Sequence, residues 1–208
     1  MGTGRLEAFS DGVLAIVITI MVLELPVPRG QGLATLAPLL PAFLSYVLSF
    51  IYVGIYWNNH HHMLQVTRRI NGAVLWANLH LLFWLSLIPF VTAWTGENQF
   101  APIPTAAYGV VLMMAAVAYL VLERSILAVD GPDSPIAAAV SHSLKELLSP
   151  ALYLLAIPLA LVRPWIAGAI YVTVALIWLR PDRRIERIIA AAGDDTAPSV
   201  STESGREG

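Results

Sequence analysis

The residues able to do chemistry fall in two short clusters. Arg5-Leu-Glu-Ala-Phe-Ser-Asp-Gly12 sets an arginine, two carboxylates and a serine directly ahead of the apolar run Val13-Leu-Ala-Ile-Val-Ile-Thr-Ile-Met-Val-Leu23. Trp57-Asn-Asn-His-His-His-Met63 sets three imidazoles and two amides at the end of a second apolar stretch. Ionisable side chains at the mouth of an apolar segment are costly, and such groups usually serve a function. Three adjacent histidines suggest a metal, yet neighbours on a helix point about 100° apart and cannot close on one ion. We therefore expect neither metal site nor cofactor. Asn58, His61, His62 and Gln65 share a helix face, with Trp57 one turn before His61. Because buried polar groups need partners, we expect this face, with Trp57 stacked on His61, to form a network with Ser10 and Asp11 on the first helix and Asn78 on the third, the donors to Asp11 being His61, His62 or Asn78. Arg5 is expected to engage it from below.

These clusters must be carried by membrane helices. Hydrophobic residues make up 57% of the chain and charged residues only 12%, with a mean hydropathy of +0.70; a soluble domain carries about 25% charged residues. A spanning helix needs about 20 mostly apolar residues. Six stretches qualify, near 8–27, 36–64, 72–94, 105–122, 143–162 and 165–179, so the expected fold is all-α with six transmembrane helices. Arg163-Pro164 suits a tight hairpin between the last two. Pro89 should bend the third span, with Ser86 available to a freed carbonyl.

Cysteine is absent, which excludes disulfides and thiolate metal sites. The first helix does not read as a cleaved signal: Glu7 and Asp11 stand where such a peptide carries positive charge, and Leu25-Pro-Val-Pro28 offers no small-residue cleavage site. A formal charge of −2 argues against a nucleic-acid partner. Of the 12 basic residues, all but Arg29 and Arg163 fall on one side of a six-span topology. The positive-inside rule then places both termini in the cytoplasm, in a multi-pass protein of the cell membrane. Residues 1–189 form the expected helical unit. Residues 190–208, rich in Gly, Asp, Ser, Thr and Glu, form an expected disordered cytoplasmic tail.

The spelling Arg-x-x-x-Phe-Ser-Asp before an apolar helix resembles the first helix of the transmembrane protein 175 family, the lysosomal and bacterial potassium channels. The tryptophan and paired histidines of the second span resemble it too, as do Asn78 and Ser86-Leu-Ile-Pro-Phe90 of the third. The resemblance covers roughly residues 5–95. It implies a homotetramer, since a single-repeat subunit cannot enclose a pore alone, with the first helix of each subunit lining the axis. By the same resemblance Ile16 is the narrowest layer, Thr19 contributes to potassium selectivity, and Ile20 and Leu23 add further apolar layers.

Periodicity by itself says less. Ile16, Thr19, Ile20 and Leu23 share one face, but packing against core or lipid uses such a face equally well. The Thr19 hydroxyl could simply bond back to the Ala15 or Ile16 carbonyl. An apolar constriction conducts when hydrated and closes by dewetting. No carbonyl filter of the threonine-valine-glycine-tyrosine-glycine type is spelled here, so selectivity should be modest. The expected function is a weakly selective, potassium-permeable leak channel. An ion-coupled or proton-conducting transporter is the alternative; it would need repeats, broken helices and midplane charges, and only His80 and Pro89 point that way. The chain is not expected to be an enzyme, because the His and Asp residues gather at one boundary without a nucleophile.

Overall fold

The computed structural model describes residues 2–132, 134, 137 and 144–179, with backbone alone over 144–147. The expected tail 190–208, and with it the basic residues Arg180, Arg183, Arg184, Arg187 and Arg206, lie outside the described residues. Among those described the elements are all helical: α1 (Thr3–Leu23), a 3₁₀ segment (Leu33–Leu39) running into α2 (Leu40–Val66), α3 (Gly72–Ser86), α4 (Ile88–Glu97), α5 (Pro102–Asp130), α6 (Leu144–Val162) and α7 (Pro164–Trp178). Among the described residues four stretches are long and apolar enough to cross a membrane: Thr3–Leu23, Leu33–Val66, Gly72–Glu97 and Pro102–Asp130. Helices α6 and α7 follow as a hairpin about Arg163, with Pro164 in the first turn of α7, where its missing N–H costs nothing.

Two boundaries differ from the sequence expectation. The third span does not merely bend at Pro89 but breaks at Leu87 into α3 and α4. Proline offers no N–H to the Leu85 carbonyl and its ring crowds that group, so the ladder stops there. Ser86 Oγ donates to the Phe83 carbonyl at 2.7 Å. The fourth span extends eight residues beyond 122, because Glu123, although charged, is buried and α5 continues through it to Asp130. Asp130 then clips the α2–α3 loop, accepting from the Arg68 and Arg69 backbone N–H groups at 2.8 and 2.9 Å. Asn71 completes the turn by capping α3 through Val74 N.

Helix α1 packs against α2, α3 and α4, while α5 is flanked by α3 and α6. Between apolar helices, hydroxyl pairs add direction to packing that lipid does not itself drive. Ser49 bonds both Thr92 Oγ1 (2.6 Å) and Tyr108 OH (2.8 Å), tying α2 to α4 and α5. Tyr52 OH donates to the Tyr171 carbonyl (2.6 Å) and accepts from Tyr153 OH (3.2 Å), tying α2 to α7 and α6. Gly96 lets α4 approach α2: a Cβ built there would lie 2.6 Å from Ala42 Cα, a backbone atom that cannot swing away. We predict that Gly96→Ala pushes α4 off α2 and lowers the stability of the detergent-solubilised protein by about 1–3 kcal/mol, the usual range for overpacking. Thermal melting measures it, and an unchanged midpoint would show that the two helices separate freely.

Candidate pore face and the polar anchor behind it

Helix α1 has two distinct faces. Leu6, Ser10, Leu14, Val17 and Met21 recur at three- and four-residue steps and are buried. Arg5, Phe9, Gly12, Ile16, Thr19 and Leu23 recur at the same steps on the opposite side and are exposed, Ile16 at 59% and Leu23 at 81%. Ile20 flanks this row and is exposed as well. The Thr19 hydroxyl donates to the Ile16 carbonyl at 2.8 Å. Its proton is thereby committed within the helix while its lone pairs stay available on the open face.

The buried side is anchored by a carboxamide. Asn78 Nδ2 donates to Ser10 Oγ (3.0 Å), and Ser10 Oγ donates to the Leu6 carbonyl (2.9 Å). Since Asn78 gives its amide to Ser10, its Oδ1 accepts from His60 Nε2 at 2.7 Å, which sets the histidine tautomer. Ser10, His60 and Asn78 are essentially inaccessible. The Nδ1 atom of His60 has no partner among the described residues.

Nearer the surface, α1 and α2 meet in a two-rung ladder. Asp11 Oδ1 accepts from Trp57 Nε1 at 3.0 Å. One turn away, Glu7 Oε1 lies 2.6 Å from His61 Nδ1, a close contact off the ideal hydrogen-bond direction. The Trp57 and His61 rings stack at 5.8 Å and 16°, joining the rungs, and Gln65 Nε2 bonds His61 Nε2 at 2.8 Å.

The polar residues named from the sequence therefore separate into two groups. Ser10 and Asn78 meet, as do Asp11 and Trp57, but the imidazole reaching Asn78 is that of His60, not His61 or His62. Residue 60 continues the buried ladder Ser49, Tyr52, Val53, Met63 and Leu64 of α2, and that spacing was the signal available for it. His61 faces Glu7, and half-buried His62 contacts the His61 ring at 5.8 Å. Arg5 lies outside the network: it sits about 200° around the helix from Glu7 and extends the exposed row instead. His80 accepts from Trp84 Nε1 at 3.0 Å, one turn along α3. Among the described residues no group of three or more His, Cys, Asp or Glu could hold a metal.

An all-helical membrane protein whose first helix is packed on one side and open on the other is the class this arrangement defines. Residues 5–89 match the family described as the endosomal/lysosomal potassium channel TMEM175. A potassium channel from a Chryseobacterium species is 56% identical over 187 residues, covering 90% of this chain and 97% of the relative. The crystal structure of a lysosomal potassium-selective channel TMEM175 homolog from Chamaesiphon minutus superposes with a TM-score of 0.73 at 30% identity, over 85% of this chain and 96% of that one. The human endosomal/lysosomal proton channel TMEM175 is 34% identical over 112 residues, 48% of this chain but only 22% of the human protein. The chain belongs to the TMEM175 family, and its fold is the all-helical fold of that family of ion channels.

The two polar groups make a quantitative expectation for stability. Asn78→Ala strands His60 Nε2, costing about 1–3 kcal/mol for the unsatisfied group, while Ser10 keeps its bond to the Leu6 carbonyl. His60→Ala combined with Asn78→Ala should cost clearly less than the sum of the singles, whereas Trp57→Phe combined with Asn78→Ala should be additive within about 0.5 kcal/mol. Denaturation of the three single and two double variants tests this partition; coupling of Trp57 to Asn78 as strong as that of His60 would merge the groups.

Proposed function

We propose that four copies of this chain assemble with the open face of α1 towards a common axis and form a potassium-permeable, weakly selective leak channel of the cell membrane. The observation that carries this reading is the exposed row Gly12, Ile16, Thr19 and Leu23 on a helix whose other side is fully packed. Lipid favours bulky apolar side chains, yet this row interrupts them with a glycine and a threonine. Ile16 is the narrowest layer and closes by dewetting, Ile20 and Leu23 continue the apolar lining, and Thr19 supplies one hydroxyl oxygen per subunit to a passing potassium ion. Each subunit crosses the membrane six times, α6 and α7 completing the four longer spans. Both termini are cytoplasmic, because Arg5, Arg68, Arg69 and Arg124 then share the inner side and Arg29 and Arg163 the outer.

The ladder Glu7–His61 and Asp11–Trp57 stands at the inner end of the same helix and holds it in this rotation. The network is structural in this reading and conducts nothing.

Electrophysiology in a planar bilayer tests the reading. Ile16→Asn should raise single-channel conductance by easing hydration of the constriction; unchanged current from a normally assembled particle would move the gate to Ile20 or Leu23. Thr19→Ala should lower the potassium-to-sodium permeability ratio roughly fivefold, the equivalent of about 1 kcal/mol for a lost oxygen ligand. A proportional fall in both currents would assign Thr19 to packing. The particle mass in detergent should be four times the 22.5 kDa subunit, and a stable monomer would remove the basis for a pore.

A further inference from the structure

At the outer end of the subunit, α1 and α4 leave an open cleft of about 490 Å³ beside the exposed row. Ile20 and Glu24 form one wall, and Pro89, Phe90, Trp94 and Glu97 the other. Phe90 is 63% exposed. Glu24 and Glu97 also border the smaller crevice behind it, between α1, α2 and α4, so the two carboxylates stand across one gap. Among the described residues neither makes an ion pair. The cleft is thus apolar along its floor, acidic at its outer rim, and without a counter-charge among the described residues of its own subunit.

The complement is present in the same chain. The segment between α1 and α2 carries Val27 and Leu33, exposed at 83% and 87%, with Arg29 between them. Arg29 is one of only two basic residues on the outer side, the other being Arg163 at the α6–α7 turn. An apolar segment with one central guanidinium matches an apolar cleft with two rim carboxylates, and Arg can bridge two carboxylates with its planar fork of donors. The cleft also adjoins Ile20, at the edge of the face assigned to the channel axis, where the adjoining body is another subunit and not acyl chains.

We propose that the cleft seats the neighbouring subunit of the channel: residues 25–36 of the next copy cross it, and its Arg29 lies between Glu24 and Glu97. The contact runs head to tail around the ring, so each subunit contributes one segment and one cleft. This inference rests on the tetrameric reading and specifies its outer interface.

The absence of cysteine permits a direct test in the full-length protein. Arg29→Cys with Glu97→Cys in one chain, treated in membranes with a short bismaleimide, should give a ladder of dimer, trimer and tetramer, while each single variant stays at the monomer. In parallel, Arg29→Glu should shift the tetramer towards smaller species at least tenfold in detergent, and adding Glu97→Arg should restore it. A tetramer by mass that gives no ladder and no charge-swap rescue overturns the inference and leaves the cleft to lipid or a small cation. An equal ladder from either single variant overturns it too. A monomeric wild type would instead overturn the tetrameric reading before any cross-linking is attempted.

Discussion

One carboxamide sets the orientation of the first helix. Asn78 is held between Ser10 and His60 in a region with no water to replace either partner, so the three side chains must stay in register. Each residue of a helix is rotated by about 100° from the last, and pinning Ser10 therefore pins the whole of α1. Glu7 and Asp11 are brought against α2, Leu14, Val17 and Met21 enter the core, and Ile16, Thr19 and Leu23 are turned outward. A rotation of α1 by one residue would break two hydrogen bonds within the bundle and bury a charge, which is the reason the exposed row is stable as an exposed row.

The two polar layers near the N-terminal end of α1 divide the labour by burial. Ser10, Asn78 and His60 are sealed, and Asn78 joins the other two, so its loss is felt by both. Glu7, His61, Asp11 and Trp57 lie where solvent still reaches, and their contacts are worth correspondingly less each. Their value lies in geometry: two carboxylates one turn apart on α1 meet two ring nitrogens one turn apart on α2, and that match resists sliding as well as rotation.

Further out, hydroxyls take over from amides and charges. Ser49 joins Thr92 and Tyr108, and Tyr52 joins Tyr153 and Tyr171, so α2 becomes the hub to which α4, α5, α6 and α7 are attached. Close approach of α4 to α2 at Gly96 and the break at Leu87 together set where the second half of the third span packs. Past the break, Pro89 and Phe90 stand across from the C-terminal end of α1 and line the cleft between them. A single proline thus shapes the surface next to the exposed row without touching the row itself.

The membrane class, the all-helical fold and the family were legible in the amino-acid sequence, because apolar content and the Arg-x-x-x-Phe-Ser-Asp spelling are local properties that need no knowledge of neighbours. That Ser10, Asp11 and Asn78 would need polar partners across the helices was legible for a similar reason, since a polar side chain in an apolar run must find one; the donor to Asp11 was not, for it is Trp57 rather than His61, His62 or Asn78. Which of three consecutive histidines would meet Asn78 was not, although the buried spacing of α2 pointed to His60. Nor was the exclusion of Arg5, or the full break at Leu87 where only a bend was expected. Those outcomes depend on how far each helix is rotated and tilted against its neighbours. That rotation is decided only when all the faces pack together, since one step along a helix moves a side chain about 100° and changes its partner.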